Sequence, residues 1–201
     1  TGKTIAETAV GSGTLTTVSD GKLVLPTAFA LGILSDERRA EAREIVGVTG
    51  DTLESPCNLT LFRDGERTIL FDAGAGPNFM PTAGEIIDNL GAAGVAPEDV
   101  TDVIFTHAHP DHIWGVLDDF DEPLFLNATH HIGQVEADYW MDPQTVETIG
   151  EARASFAVGA KTRLEAIADG LTIFGDGDTV VPGIVARASY GHTPGHMAFL
   201  V

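Results

Sequence analysis

The sequence predicts an α/β domain with helices packed outside sheets. Three observations carry that reading. β-rich runs alternate with segments of helical spacing along the whole chain, no low-complexity tract or linker interrupts them, and 201 residues suffice for one domain, over 1–201, with a real core. Hydrophobic residues make up 43% and charged residues 20%, an ordinary globular balance, and the 23 glycines point to many tight turns.

The elements follow in order. Residues 14–25 read as two short strands around the turn Asp20-Gly21. Ser35 is placed to cap a helix over 36–46. Residues 58–63 and 68–72 form a hairpin joined at Asp64-Gly65, and its second strand runs into the loop Asp72-Ala73-Gly74-Ala75-Gly76. A helix is expected over 83–93. A short apolar strand over 103–106 stops directly at His107. Further on, 124–126 reads as a strand, 130–140 and 144–168 as helices, and 171–174 and 184–188 as strands. Another strand begins at Met197.

Charge and cysteine usage exclude several classes. A net charge of −19 repels phosphate backbones and anionic membranes, so neither nucleic acid nor a membrane is expected as partner; its simplest role is solubility. Cys57 is the single cysteine, which rules out an intrachain disulfide and a thiolate-rich zinc site; it reads as a small buried side chain. No apolar run reaches transmembrane length. The start Thr1-Gly2-Lys3-Thr4 lacks a basic-then-apolar signal, which suits a cytoplasmic protein, or a periplasmic one whose signal precedes this numbering.

The chemistry concentrates in His107-Ala108-His109-Pro110-Asp111-His112. In an extended segment alternate side chains share a face, so His107 and His109 can point at one ion. Pro110 then turns the chain and aims Asp111 and His112 at a second ion nearby. Imidazole and carboxylate suit zinc best, with iron or manganese possible. A second cluster, Tyr190-Gly191-His192-Thr193-Pro194-Gly195-His196, also follows a predicted strand, and one of its imidazoles can complete the first ion's set. His130 and His131, at the start of a predicted helix, read as surface or capping residues.

These segments resemble a known family. HAHPDH matches the signature of the metallo-β-lactamase superfamily, GHTPGH its later histidine motif, and ILFDAG its strand-end aspartate motif, in the right order. SDGKLVLP, DAGAGPNFMPT, EADYW and VPGI look like segments of the branch containing methyl parathion hydrolase and quorum-quenching lactonases. The resemblance implies an αββα metallo-β-lactamase sandwich with two divalent ions, most simply Zn2+, at one edge. It implies His107, His109 and His192 on one ion, with His192 preferred over His196, and Asp111 and His112 on the other. Asp72 would support the site without binding metal. Ring nitrogens of the three histidines should then approach within about 4 Å of one another.

The implied activity is hydrolysis of a small ester, lactone or phosphotriester by water activated between the metals, with Asp111 also serving as the catalytic carboxylate. Phe79, Trp140 and Phe156 fall in segments resembling the branch's substrate pocket, and aromatic walls favour an acyl chain or aryl leaving group. Other enzymes of the fold stay open: a β-lactamase, a thioester hydrolase, or a persulfide dioxygenase with one iron. So does a non-catalytic metal-binding protein. The resemblance also suggests a homodimer. It further implies a bridging aspartate and a final histidine beyond Val201, so the sandwich reads as lacking its C-terminal part, with the remainder expected on this or a separate chain.

Overall fold

The computed structural model describes residues 6–32 and 34–201; the Thr1-Gly2-Lys3-Thr4 start lies outside the described residues. The strands are β1 (Ala6–Val10), β2 (Gly13–Pro26), β3 (Thr52–Arg63), β4 (Thr68–Phe71), β5 (Asp102–Ile104), β6 (Thr129–Gly133), β7 (Leu171–Phe174), β8 (Thr179–Val181), β9 (Ile184–Ala188) and β10 (Met197–Leu200). The helices are α1 (Thr27–Ala30), α2 (Asp36–Ile45), α3 (Ile86–Ala92), α4 (Pro110–Ile113), α5 (Gln134–Met141), α6 (Thr145–Thr148) and α7 (Ala154–Ala166).

β1 to β7 lie side by side in chain order, and β10-β9-β8 form a second sheet. Pairing is antiparallel from β1 to β4 and parallel from β4 to β7. The parallel half gathers the C-terminal ends of β4, β5 and β6 at one edge, where successive loops converge. The pleat sorts side chains between two cores. Leu70 and Val103 join a cluster with Ile86, Trp140 and Leu164 from the helices, whereas Ile69, Phe71 and Ile104 meet Ile184, Ala186 and Met197 of the second sheet. Each such apolar side chain, fully buried, contributes roughly 1.5–3 kcal/mol. Two sheets packed face to face, with helices on the far side of the larger, match the expected α/β sandwich. Among the described residues no helix is long and apolar enough to cross a membrane.

Several expectations hold. The Ser35 hydroxyl accepts from Arg38 N and caps α2. Strands cover 171–174 and 184–188 as predicted. Cys57 is buried and free, within β3.

Others are corrected. Residues 14–25 are one strand, not two; Asp20-Gly21 is an irregularity where the register shifts between Ser19 and Lys22. The cause is tertiary. Asp20 turns inward, fully buried, and its carboxylate accepts from Ala75 N at 2.7 Å and Ile86 N at 2.8 Å. No strand spans 124–126; β6 starts at Thr129 and carries His130 and His131. Both are buried, contrary to the surface or capping role, because β6 is an interior strand between β5 and β7. His131 Nε2 pairs with Asp102 Oδ1 at 2.9 Å and the His130 ring stacks on Phe105. The helix expected over 144–168 breaks at Gly150, whose φ of +94° no other residue adopts easily, and α7 restarts after a 3-10 turn at Glu151–Arg153. β1 and β8 lack a clear sequence signal.

Burial raises the Asp20 carboxyl to about 6, against the backbone donors of Ala75, Ile86 and Gly84 that pull it down. Its folded value lies above its ordinary 3.8, so its stabilising contribution is full below that value and is lost as pH rises through about 6. In Asp20→Asn one amide N–H must face a backbone N–H. Urea denaturation at neutral pH should show a loss of about 1–3 kcal/mol. A wild-type midpoint in this variant would mean that Asp20 does not hold the 73–76 loop to the start of α3.

Candidate metal centre

The loop after β5 is anchored by buried apolar residues on either side of His107. Phe105 and Ala108 are fully buried, while His109 is extended (φ −68°, ψ 159°) and Pro110 opens α4 at the helix position that needs no N–H donor. His107 Nε2 lies 3.1 Å from His109 Nδ1, which lies 3.0 Å from His192 Nε2. One ring nitrogen from each of the three falls within 4.8 Å of the others, a wider spread than the expected distance of about 4 Å.

The hydrogen bonds around this point show which lone pairs face it. The Thr106 hydroxyl donates to Asp72 Oδ2 at 2.8 Å, so its 2.9 Å contact with His107 Nδ1 is one in which the ring N–H donates. His107 Nε2 is therefore a bare acceptor at the convergence. Three crowded ring nitrogens cannot satisfy one another by hydrogen bonding, and a cation fits the donor set. Burial drives the His107 pKa far down, helped by the neighbouring histidines. Burial and then His192 take His109 to about 4, and burial with His196 lowers His192. Neutral imidazole is the state a metal requires.

Beside the trio stands a facing pair. Asp111 Oδ2 is 3.3 Å from His112 Nε2, and His112 Nδ1 donates to Asp72 Oδ2 at 2.8 Å. A carboxylate and an imidazole nitrogen so placed share either a proton or a cation. Burial would lower the His112 pKa, but the charges and hydrogen bonds of Asp72 and Asp111 carry it up to about 10. Burial raises Asp111, and the His112 hydrogen bond and charge outweigh that and lower it. Asp72 also accepts from Thr106 N at 2.7 Å, so one carboxylate orients His112 directly and His107 through Thr106. Asp72 holds φ at +65°, a conformation uncommon outside glycine.

His196 stays near without joining the trio. Its Nδ1 bonds the Ser189 hydroxyl at 2.8 Å, and its ring centroid is 4.9 Å from that of His107.

Sequence reasoning missed Glu136. Its side chain is fully buried at the start of α5. Oε1 accepts from Ala108 N at 2.9 Å and Trp140 Nε1 at 2.6 Å; Oε2 accepts from the Thr193 hydroxyl at 2.7 Å and Gly195 N at 3.0 Å. It ties the two histidine loops together. Gly195 must be glycine, since a Cβ there would run into the Glu136 backbone. The available signal was a glutamate four residues before a tryptophan in EADYW, a spacing that lets one helix side chain meet the other.

A cavity of about 450 Å³ opens against His109 and His192. Of the three predicted pocket aromatics only Trp140 lines it, and its N–H is already spent on Glu136. Phe156 stands 6.0 Å from the His109 ring, and Phe79 lies behind it, 6.1 Å from Phe156 and 5.5 Å from Trp114. Tyr139, Ile149 and Arg153, not foreseen, complete the wall. A second cavity, about 220 Å³, is bordered by Cys57, Asp72, Asp111 and His112.

Comparison with known proteins bears on the family and the fold. The sequence profile of the Metallo-beta-lactamase superfamily matches residues 52–201. The N-acyl homoserine lactonase AttM of Agrobacterium fabrum is 31% identical over 118 residues, 57% of this chain and 41% of that protein. The chain spans between 25% and 52% of the length of the curated relatives it matches. Among solved structures, AidC, a dizinc quorum-quenching lactonase, superposes with a TM-score of 0.85 at 23% identity, over 98% of this chain and 70% of its own, a likeness of fold. The hydrolase AbOPH gives 0.83 at 25% identity, over 99% and 70%.

Glu136→Gln places an amide N–H₂ against two donors. It should cost about 1–3 kcal/mol in urea denaturation. It should also weaken zinc binding about tenfold to a hundredfold in competition with a chromophoric chelator, as loss of a supporting partner does. Unchanged zinc affinity would show that the two loops keep their spacing without this carboxylate.

Proposed function

The chain belongs to the metallo-beta-lactamase superfamily, and on that premise we propose that it is a hydrolase that holds two divalent ions, zinc foremost, and cleaves a small ester, lactone or phosphotriester. The convergence of His107 Nε2, His109 Nδ1 and His192 Nε2 beside the Asp111–His112 pair carries this reading. In it the three histidines hold one ion, and Asp111 and His112 belong to the other. Ions bound there supply charge that polarises a C=O or P=O bond and lowers the pKa of water.

The side chains do the rest. Asp111 holds its ion and orients the attacking water or takes its proton. The water oxygen bonds to the carbonyl carbon or phosphorus, the bond to the leaving oxygen breaks, and that oxygen ends protonated. Asp72 keeps His107 and His112 in the tautomers that leave Nε2 free. Trp140, backed by the nearby Phe156, supplies an apolar wall for an acyl chain or aryl group. The lactonase likenesses favour lactones among these substrates. The charge of −19 favours a small molecule over nucleic acid.

A single observation keeps a second reading: the three histidines converge on a point for one ion, and imidazole ligands suit a single iron, as an oxidative enzyme would use, as well as zinc. Metal analysis separates the two. The purified protein should carry two zinc ions per chain, lose ester and lactone hydrolysis on chelation, and regain it with zinc. Asp111→Asn should cut turnover at least about a hundredfold, because removing a metal-binding carboxylate should matter no less than removing a supporting group. One iron per chain, or Asp111→Asn with full metal content and near-normal rates, would contradict this account.

A further inference from the structure

We propose that Arg153 makes the mouth of the metal-site cavity an anion subsite, so that the preferred substrate is an ester or lactone bearing a carboxylate away from the scissile bond. The substrate part of this proposal rests on the hydrolase reading.

Arg153 shares the cavity of about 450 Å³ with His109 and His192, so a ligand reaching the three-histidine point also lies in reach of the guanidinium. It is the one Lys or Arg on that wall, and no Asp or Glu lines it. The chain has 30 acidic residues against 11 Lys and Arg, so a cation here has an abundance of carboxylates to pair with. Yet among the described residues the Arg153 side chain makes no ion pair and no hydrogen bond. Its guanidinium lies over the Phe29 ring, with the guanidinium carbon 5.5 Å from the centroid, and its charge is felt at His109 and Tyr139. A ring beneath the guanidinium limits its motion while leaving its N–H donors unspent.

The backbone adds a second, independent observation. Arg153 is the N-cap of α7, a 13-residue helix whose first turn has no side-chain cap. A cation at that end opposes the helix dipole, so the placement costs stability instead of adding it. The positive end of the helix dipole and a guanidinium at the same helix end both favour a negative group. The general charge of −19 repels anions at long range, but screening over about 8 Å leaves the local field of Arg153 and the helix end to decide at the cavity mouth. A carboxylate held there orients the substrate from its far end, while the scissile group faces the histidines.

The test compares hydrolysis of 4-acetoxybenzoate, which is anionic, with the near-isosteric neutral 4-acetoxybenzamide by the zinc-loaded protein. In both, the para position prevents intramolecular attack on the ester. The readout is the ratio of the two kcat/KM values, so the intrinsic reactivities cancel between variants. Wild type should favour the anion, and Arg153→Gln should lower the ratio about tenfold or more, as expected for losing a charge-assisted contact. The change should fall chiefly in KM, Arg153→Lys should restore part of it, and added salt should shrink it. The same ratio in wild type and Arg153→Gln overturns the proposal. If neither ester is turned over, the ester arm of the hydrolase reading fails, and calorimetry then tests the subsite by binding of 4-hydroxybenzoate against 4-hydroxybenzamide. A selective loss of 4-hydroxybenzoate affinity in Arg153→Gln upholds the anion subsite, and equal affinity in both proteins overturns it.

Discussion

Glu136 accepts hydrogen bonds from Ala108 and Trp140 on one oxygen and from Thr193 and Gly195 on the other. Trp140 belongs to the same helix as Glu136, but Ala108, Thr193 and Gly195 belong to two loops more than eighty residues apart, as the His109–His192 contact between them spans 83 positions. Taking a carboxylate out of water costs several kcal/mol, and four donors offset much of that. The net gain in stability is therefore modest. The gain in geometry is large, because the three bonds from Ala108, Thr193 and Gly195 fix the loops relative to each other and bring His192 to His109. A buried charge with no cationic partner is tolerable only where every lone pair is used, and here the bonds come in pairs on both oxygens.

Asp72 plays the complementary part within one edge of the larger sheet. It sits just past the end of β4, at a positive φ, and reaches across the end of β5 to Thr106 and His112. Parallel pairing makes this possible: the ends of β4, β5 and β6 lie adjacent, so Asp72, the histidine loop and Glu136 all start from neighbouring strand ends. Each polar group of the site thus rests on a backbone position set by the sheet, and the imidazoles inherit that rigidity. Asp20 extends the scaffold outward by holding the loop at Ala75 against the start of α3.

Much of this was legible in the sequence because the relevant signals are local. A strand running into a histidine loop (β5 closes at Ile104, short of the expected 106), alternation that puts His107 and His109 on one face, and a proline that turns the chain all lie within a few residues. The strand bounds at 171–174 and 184–188 were equally local. What stayed hidden is tertiary. Asp20-Gly21 has the composition of a turn, yet lies within one strand because Asp20 has buried donors far along the chain. His130 and His131 look like helix-start polar residues until β5 and β7 pair on either side of them. Glu136 looks like any helix glutamate, since nothing nearby reveals that its partners are Ala108, Thr193 and Gly195. The pocket aromatics show the same limit: Trp140 borders the cavity, while Phe156 and Phe79 stand behind.

The claim on which everything else rests is that two loops clamped by Glu136 present His107, His109 and His192 to one ion. Anomalous diffraction at the zinc absorption edge from zinc-grown crystals tests it directly. The account predicts a peak bound by His107 Nε2, His109 Nδ1 and His192 Nε2 at about 2.0–2.1 Å each, and a second peak against Asp111 and His112. A zinc peak bound by His196 in place of His192, or none at the point where the three nitrogens converge, would contradict it.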